Sequence, residues 1–102
     1  MRYDKLVRDK IPEIIETKGE IPKIHYATDE EYYKLLKNKL QEEVNEFLES
    51  NNPQELTDIL EVIYALSCHH KIPIKNLEAM RQIKKEDRGG FEKRIILEEV
   101  ID

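Results

Sequence analysis

The chain has 102 residues, of which 39% are hydrophobic and 38% charged, and its formal net charge at pH 7 is −5. This length predicts a single domain spanning 1–102, and Cys68, as the single cysteine, excludes an intrachain disulfide and favours a reducing, cytoplasmic location. The longest uncharged stretch, 62–70, is too short to span a membrane, and the acidic total argues against stable nucleic-acid binding.

The first predicted helix is short and is followed by a candidate strand. It covers 11–19, where Pro12 suits the first helical turn and Gly19 a C-terminal cap. The segment 21–26 then alternates roughly between apolar and polar residues. It could pair with the apolar segment 94–98 in a small β ribbon, unless that second segment forms a terminal helix.

The middle of the chain predicts three longer helices. The segment 28–31 has the Thr-x-x-Glu spacing of a capping box, so a long helix should follow over 29–50. The Asn-Pro pair at 52–53 starts the next helix, which runs to about residue 70, and a further helix covers about 74–85. Because the connection between the first two of these helices is so short, we expect an antiparallel hairpin in an all-α fold.

The acidic residues of this hairpin lie where a solvated surface would not place them. The stretch 40–70 contains seven acidic residues and no Lys or Arg. At 100° per residue, Glu43 falls inside the apolar stripe of the long helix, between Leu40 and Phe47, and Glu46 falls at its edge. Burial of a lone carboxylate is costly, so a partner or a metal ion is expected at Glu43.

The second helix of the hairpin repeats the pattern. It is apolar around most of its circumference, which predicts burial that a second copy of the chain would complete. It nevertheless carries Glu55, Asp58 and Glu61 at successive spacings of three. Glu43/Glu46 and Glu55/Asp58 therefore form two acidic pairs on neighbouring helices, which repel each other unless a divalent cation lies between them. A donor set of oxygens alone favours Mg²⁺ or Mn²⁺ over zinc.

These motifs resemble those of a known superfamily. Glu-Glu-x-x-Glu at 42–46 followed by Glu-x-x-Asp at 55–58 is similar to the signature of the MazG-like all-α nucleoside triphosphate pyrophosphohydrolases, which also include phosphoribosyl-ATP pyrophosphohydrolase. The branch of predicted house-cleaning pyrophosphatases further resembles this chain in 3–12, 39–43 and 84–91. Together these segments cover nearly the whole chain in order.

The resemblance implies a four-helix bundle, usually completed by a second subunit, and a Mg²⁺-dependent reaction that converts a nucleoside triphosphate to a monophosphate and pyrophosphate. In that mechanism the metal-binding residues are Glu43, Glu46, Glu55 and Asp58, with Glu61 as an alternative to Glu55. Either Glu42 or Glu43 orients and deprotonates the attacking water. The residues expected to contact phosphate are Lys5, Arg8, Lys10, Lys84, Lys85 and Arg88.

The sequence is also compatible with other functions. A phosphoribosyl-ATP pyrophosphohydrolase would use the same carboxylates. A non-enzymatic helical dimerisation module with a structural cation would leave the basic segments at both ends unexplained. For contacts to a nucleobase, Tyr3 and Phe91 are favoured because they lie beside these basic segments, whereas the other aromatic residues are expected to pack in the core, namely Tyr32, Tyr33, Phe47 and Tyr64. In every reading a homodimer or higher homo-oligomer is expected.

Overall fold

The computed structural model describes residues 4–102 and confirms an all-α fold. Its helices are α1 (Ile11–Thr17), α2 (Asp29–Ser50), α3 (Gln54–His69) and α4 (Ile74–Arg88). Neighbouring helices α2 and α3 pack as the expected antiparallel hairpin, and α4 packs on α3. No helix within the described residues is long and apolar enough to cross a membrane.

Most helix ends follow from local sequence signals. The Thr28 hydroxyl accepts a hydrogen bond from the Glu31 backbone N–H at 3.2 Å, as a capping box requires. The last helix ends at Arg88, slightly beyond Lys85 as the sequence allowed, and Gly89, with φ +85°, follows it. The first helix ends at Thr17, before Gly19 with φ +83°.

The small β ribbon predicted from 21–26 and 94–98 is wrong, since neither segment is a strand in the described part of the chain. Both segments lack regular secondary structure and are largely exposed, with Ile21 at 95% and Ile96 at 82% exposure. Pro22 has no N–H to give to a ladder. An isolated two-stranded ribbon is also marginal in water when nothing covers its apolar face.

The core of the single chain is small and lies between the two long helices. Its buried hydrophobic residues are Leu36 and Val62, at 2% and 8% exposure. The radius of gyration is 18.2 Å, against about 13 Å for a compact chain of this length. The accessible surface is 9659 Å², whereas a compact monomer of this mass exposes roughly 6,000 Å². The helical hairpin is therefore the structural centre, and much apolar surface outside it is left uncovered.

Candidate functional site

The turn between α2 and α3 sets which carboxylates face each other. Asn51 adopts a left-handed conformation, with φ +56°, which side chains other than Gly and Asn seldom tolerate. The Asn52 side-chain oxygen then accepts a hydrogen bond from the Gln54 backbone N–H at 3.0 Å. This tight reversal brings the last turns of α2 beside the first turns of α3, and with them the acidic residues of both helices.

Five carboxylates form two overlapping groups. Within each group, ligand oxygens lie within 4.8 Å of one another, and the groups are Glu42/Glu43/Glu46 and Glu43/Glu55/Asp58. Glu43 belongs to both groups, and at 7% exposure it is buried, as its place in the apolar stripe predicted. The two acidic pairs therefore converge on Glu43. Several carboxylate oxygens around one point suit the chemistry of Mg²⁺ or Mn²⁺.

The pKa values of Glu43 and Glu55 are both raised above the ordinary value for a glutamate. Burial raises the pKa of Glu43, and a hydrogen bond and the like charge from Glu46 raise it further, although Lys39 opposes this. Desolvation raises the pKa of Glu55, and its hydrogen bond with Asp58 acts in the same direction. Both carboxylates are thus poorly compensated as anions, so a bound cation would relieve an existing electrostatic cost.

The carboxylates nevertheless have cationic neighbours, although the stretch 40–70 itself contains no Lys or Arg. The Lys39 ammonium lies 3.3 Å from Glu43 Oε1 and 3.5 Å from Glu42 Oε2. It lies one residue before the stretch without Lys or Arg, and the i,i+4 spacing to Glu43 was the signal that sequence reasoning missed. Lys39 offsets part of the charge of the cluster but not all of it, because the pKa of Glu43 remains raised.

The N-terminal segment, which we define as residues 4–10, crosses both helices of the hairpin. An Arg8 guanidinium nitrogen lies 2.7 Å from Asp58 Oδ1 on α3, and Lys5 Nζ lies 3.5 Å from Glu42 Oε1 on α2. This segment helps to enclose a cavity of about 270 Å³ whose wall includes Arg8, Lys39, Glu43, Asp58 and Glu61. Two of the predicted phosphate-binding residues are thus beside the carboxylates.

The other predicted phosphate-binding residues lie elsewhere in the described chain. Lys10 is the N-cap residue of α1, and Lys85 lies 3.7 Å from Glu92 beyond the end of α4. Lys10, Lys84, Lys85 and Arg88 are absent from the wall of the cavity. One chain therefore brings the basic N-terminal segment to the carboxylates but not the basic residues of α4.

Three further expectations concern Glu61 and the aromatic residues. Glu61 lines the cavity but belongs to neither carboxylate group found among the described residues, whereas Glu55 belongs to one. Phe91 is 97% exposed, and Tyr3 lies outside the described residues. Tyr32, expected to pack in the core, lines the cavity.

Comparison with known proteins identifies a partial relative. No protein-family model matches the chain, and no solved structure matches it significantly. An uncharacterized protein from Mycolicibacterium smegmatis is 50% identical over 42 residues. The match spans 41% of this chain and 43% of that protein. A functional interpretation therefore depends on the site itself and on the motifs of the sequence.

Proposed function

We propose that this chain is a Mg²⁺-dependent nucleoside triphosphate pyrophosphohydrolase that cleaves a (d)NTP to a (d)NMP and pyrophosphate and serves to clean the nucleotide pool. The observation that carries the proposal is Glu43, a buried carboxylate shared by two acidic groups at the wall of a cavity. Phosphoryl transfer requires positioning and charge neutralisation more than a protein nucleophile, and this site offers no other chemistry as directly.

In the proposed reaction the acidic residues bind the metal ion and activate the attacking water. Glu43, Glu46, Glu55 and Asp58 would hold Mg²⁺, which when bound neutralises phosphate charge and polarises the phosphorus. Water adds to the α-phosphorus, the bond to the β-phosphate oxygen breaks, and pyrophosphate leaves. Glu42, or Glu43 itself, accepts the proton of that water.

Basic residues complete the site. Arg8 lies at Asp58 and lines the cavity, so its guanidinium is placed to donate two hydrogen bonds to a phosphate group. Lys5 and Lys39 supply further positive charge beside the carboxylates. We include in the proposal a cytoplasmic location, where nucleotide pools and reduced cysteine occur together.

The proposed enzyme is a homodimer, and the exposed side of α3 supports this. Leu56, Leu60 and Ile63 form one stripe at i, i+4 and i+7, and they are 49%, 45% and 36% exposed in the single chain. The surface of the chain exceeds that of a compact monomer by roughly 3,600 Å², which is more than the roughly 1,000–2,500 Å² that each partner loses in an obligate dimer. The side of α3 that the sequence predicted to be buried is therefore the surface that a second copy would cover.

Replacing Leu60 by glutamate should separate the copies. A charge at the centre of an apolar stripe has to be desolvated on association, which disfavours the dimer strongly. Light scattering after gel filtration should give the dimer mass for the wild type and half that mass for Leu60→Glu. Thr57→Glu adds the same charge to an exposed position of the same helix, about 100° from Leu56 and about 60° from Leu60, and it should remain dimeric. If both variants keep the wild-type mass, the interface lies elsewhere.

The proposed activity is tested by measuring pyrophosphate release from a panel of nucleoside triphosphates and from phosphoribosyl-ATP, in Mg²⁺ or in EDTA. We expect release from nucleoside triphosphates in Mg²⁺ only. Release restricted to phosphoribosyl-ATP would identify the sibling enzyme. No release by folded protein at high Mg²⁺ would leave the carboxylates as a structural cluster, in which Lys39 and Arg8 already act as counter-charges.

A further inference from the structure

The cavity beside the carboxylates has two chemically different ends. On α2, Leu36 and Glu43 lie seven residues apart on the cavity wall, and on α3, Asp58 and Ala65 are separated by the same number. Because the helices run antiparallel, Glu43 and Asp58 share one end, and the apolar residues of both helices share the other. Seven residues of helix rise about 10 Å. The two ends of the cavity are therefore about 10 Å apart along the helices, a distance comparable to the length of a nucleoside.

Side chains of both long helices line the apolar end. Leu36 and Val62, the two buried hydrophobic residues of the hairpin, form its floor together with Ala65. Tyr32 stands at the side, and its ring meets the His69 ring edge-on with 5.9 Å between centroids.

The N-terminal segment also lines the cavity. Leu6 and Val7 lie on the cavity between the two ion pairs that connect this segment to the hairpin, Lys5 with Glu42 and Arg8 with Asp58. The same segment thus presents apolar side chains to the cavity and a guanidinium to its charged end. A ligand in this cavity would meet both at once.

The volume of the cavity limits the size of the chemical group that can bind in it. A cavity of about 270 Å³ is just below the range of roughly 300–1,000 Å³ that encloses whole small molecules. It therefore has room for one ring system at its apolar end, and a polyphosphate would extend from its charged end. Such a division fits a molecule with a flat, weakly polar group at one end and a polyphosphate at the other.

We propose that the apolar end of this cavity binds the nucleobase of the substrate and that Leu6 and Val7 are its specificity-determining wall. The inference rests on the proposed function and adds the part of the site that recognises the base. Apolar walls discriminate by shape and contact area, and they reject an isosteric polar group only weakly. The enzyme should therefore accept several bases of similar size, as a pool-cleaning activity requires.

The test compares two ligands that share the phosphates and differ in the base. In the double variant Leu6→Ala/Val7→Ala, the dissociation constant of a fluorescent mant-labelled nucleoside triphosphate should rise about tenfold, as expected for the loss of apolar contacts to two partly exposed side chains. The Ki or dissociation constant of inorganic triphosphate should stay within about twofold of wild type. The KM for nucleoside triphosphates should rise in parallel, while kcat changes little.

Controls separate the possible outcomes. Ile95→Ala/Val100→Ala also removes aliphatic groups, at positions that are 79% and 78% exposed and outside the cavity wall, and it should bind both ligands as wild type does. Equal weakening of nucleotide and inorganic triphosphate in Leu6→Ala/Val7→Ala would overturn the base-binding role, as would unchanged nucleotide binding. Wild-type protein that binds the labelled nucleotide through this wall but releases no pyrophosphate would retain the inference and reject the proposed activity.

Discussion

Replacing Glu43 by glutamine is expected to lower Mg²⁺-dependent pyrophosphate release by about 10²–10³-fold, the loss typical of removing one electrostatic stabiliser from an active site. Glu43 is the carboxylate shared by both acidic groups, so its removal depletes both at once. Glutamine keeps the shape and one oxygen but supplies no negative charge for a cation. The measurement is kcat/KM for the best nucleotide of the panel, with the affinity for Mn²⁺ determined in parallel.

The same substitution should not unfold the protein. Because the pKa of Glu43 is raised in the folded state, folding favours its protonated form, and the free energy of unfolding falls as pH rises from the ordinary value of 4.5 through the raised pKa. At neutral pH in EDTA, Glu43→Gln should therefore be as stable as wild type or more stable. This difference should shrink as pH is lowered towards 4.5.

Glu49→Gln is the matched control for activity. Glu49 is an exposed carboxylate on the same helix and belongs to neither acidic group found among the described residues, so this variant should retain wild-type turnover. If Glu43→Gln also retained turnover, the carboxylate cluster would not be the catalytic site. If Glu43→Gln lost both turnover and stability, the loss of turnover would carry no information, and Asp58→Asn would then be the variant to measure.

Truncation of Leu36 to alanine is expected to cost about 2–5 kcal/mol of unfolding free energy, as for other buried leucines. Leu36 is 2% exposed and lies between the two long helices, in a chain with few buried hydrophobic residues. A small domain has little stability in reserve, so much of the population should unfold at low urea concentration. Urea titration followed by far-ultraviolet circular dichroism measures this directly.

Ile21→Ala is the control for that truncation. Ile21 is 95% exposed, and surface substitutions usually change stability by less than about 0.5 kcal/mol. A comparable loss in both variants would mean that Ile21 is buried in the assembled protein. A loss below about 1 kcal/mol for Leu36→Ala would contradict its position at the centre of the core.

Local signals explain why the helices could be predicted. The capping box at 28–31, the Asn-Pro pair at 52–53 and the glycines at 19 and 89 each act on one turn of backbone, and no distant residue is required. The β ribbon failed for the opposite reason. Pairing of 21–26 with 94–98 depends on residues about seventy positions apart, and local alternation does not determine whether they meet.

The candidate site, like the fold, could be predicted from the sequence only in part. By itself the sequence determined that Glu43 is buried, because helical periodicity places it in the apolar stripe, and that two acidic pairs lie on one hairpin. Only the tertiary structure decided that Arg8 reaches them, since the Arg8–Asp58 contact joins residues 50 positions apart. The cavity, with Leu6 and Val7 in its wall, likewise exists only once the N-terminal segment lies across α2 and α3. Periodicity is a property of one helix, whereas ion pairs and cavities between segments depend on how the whole chain packs.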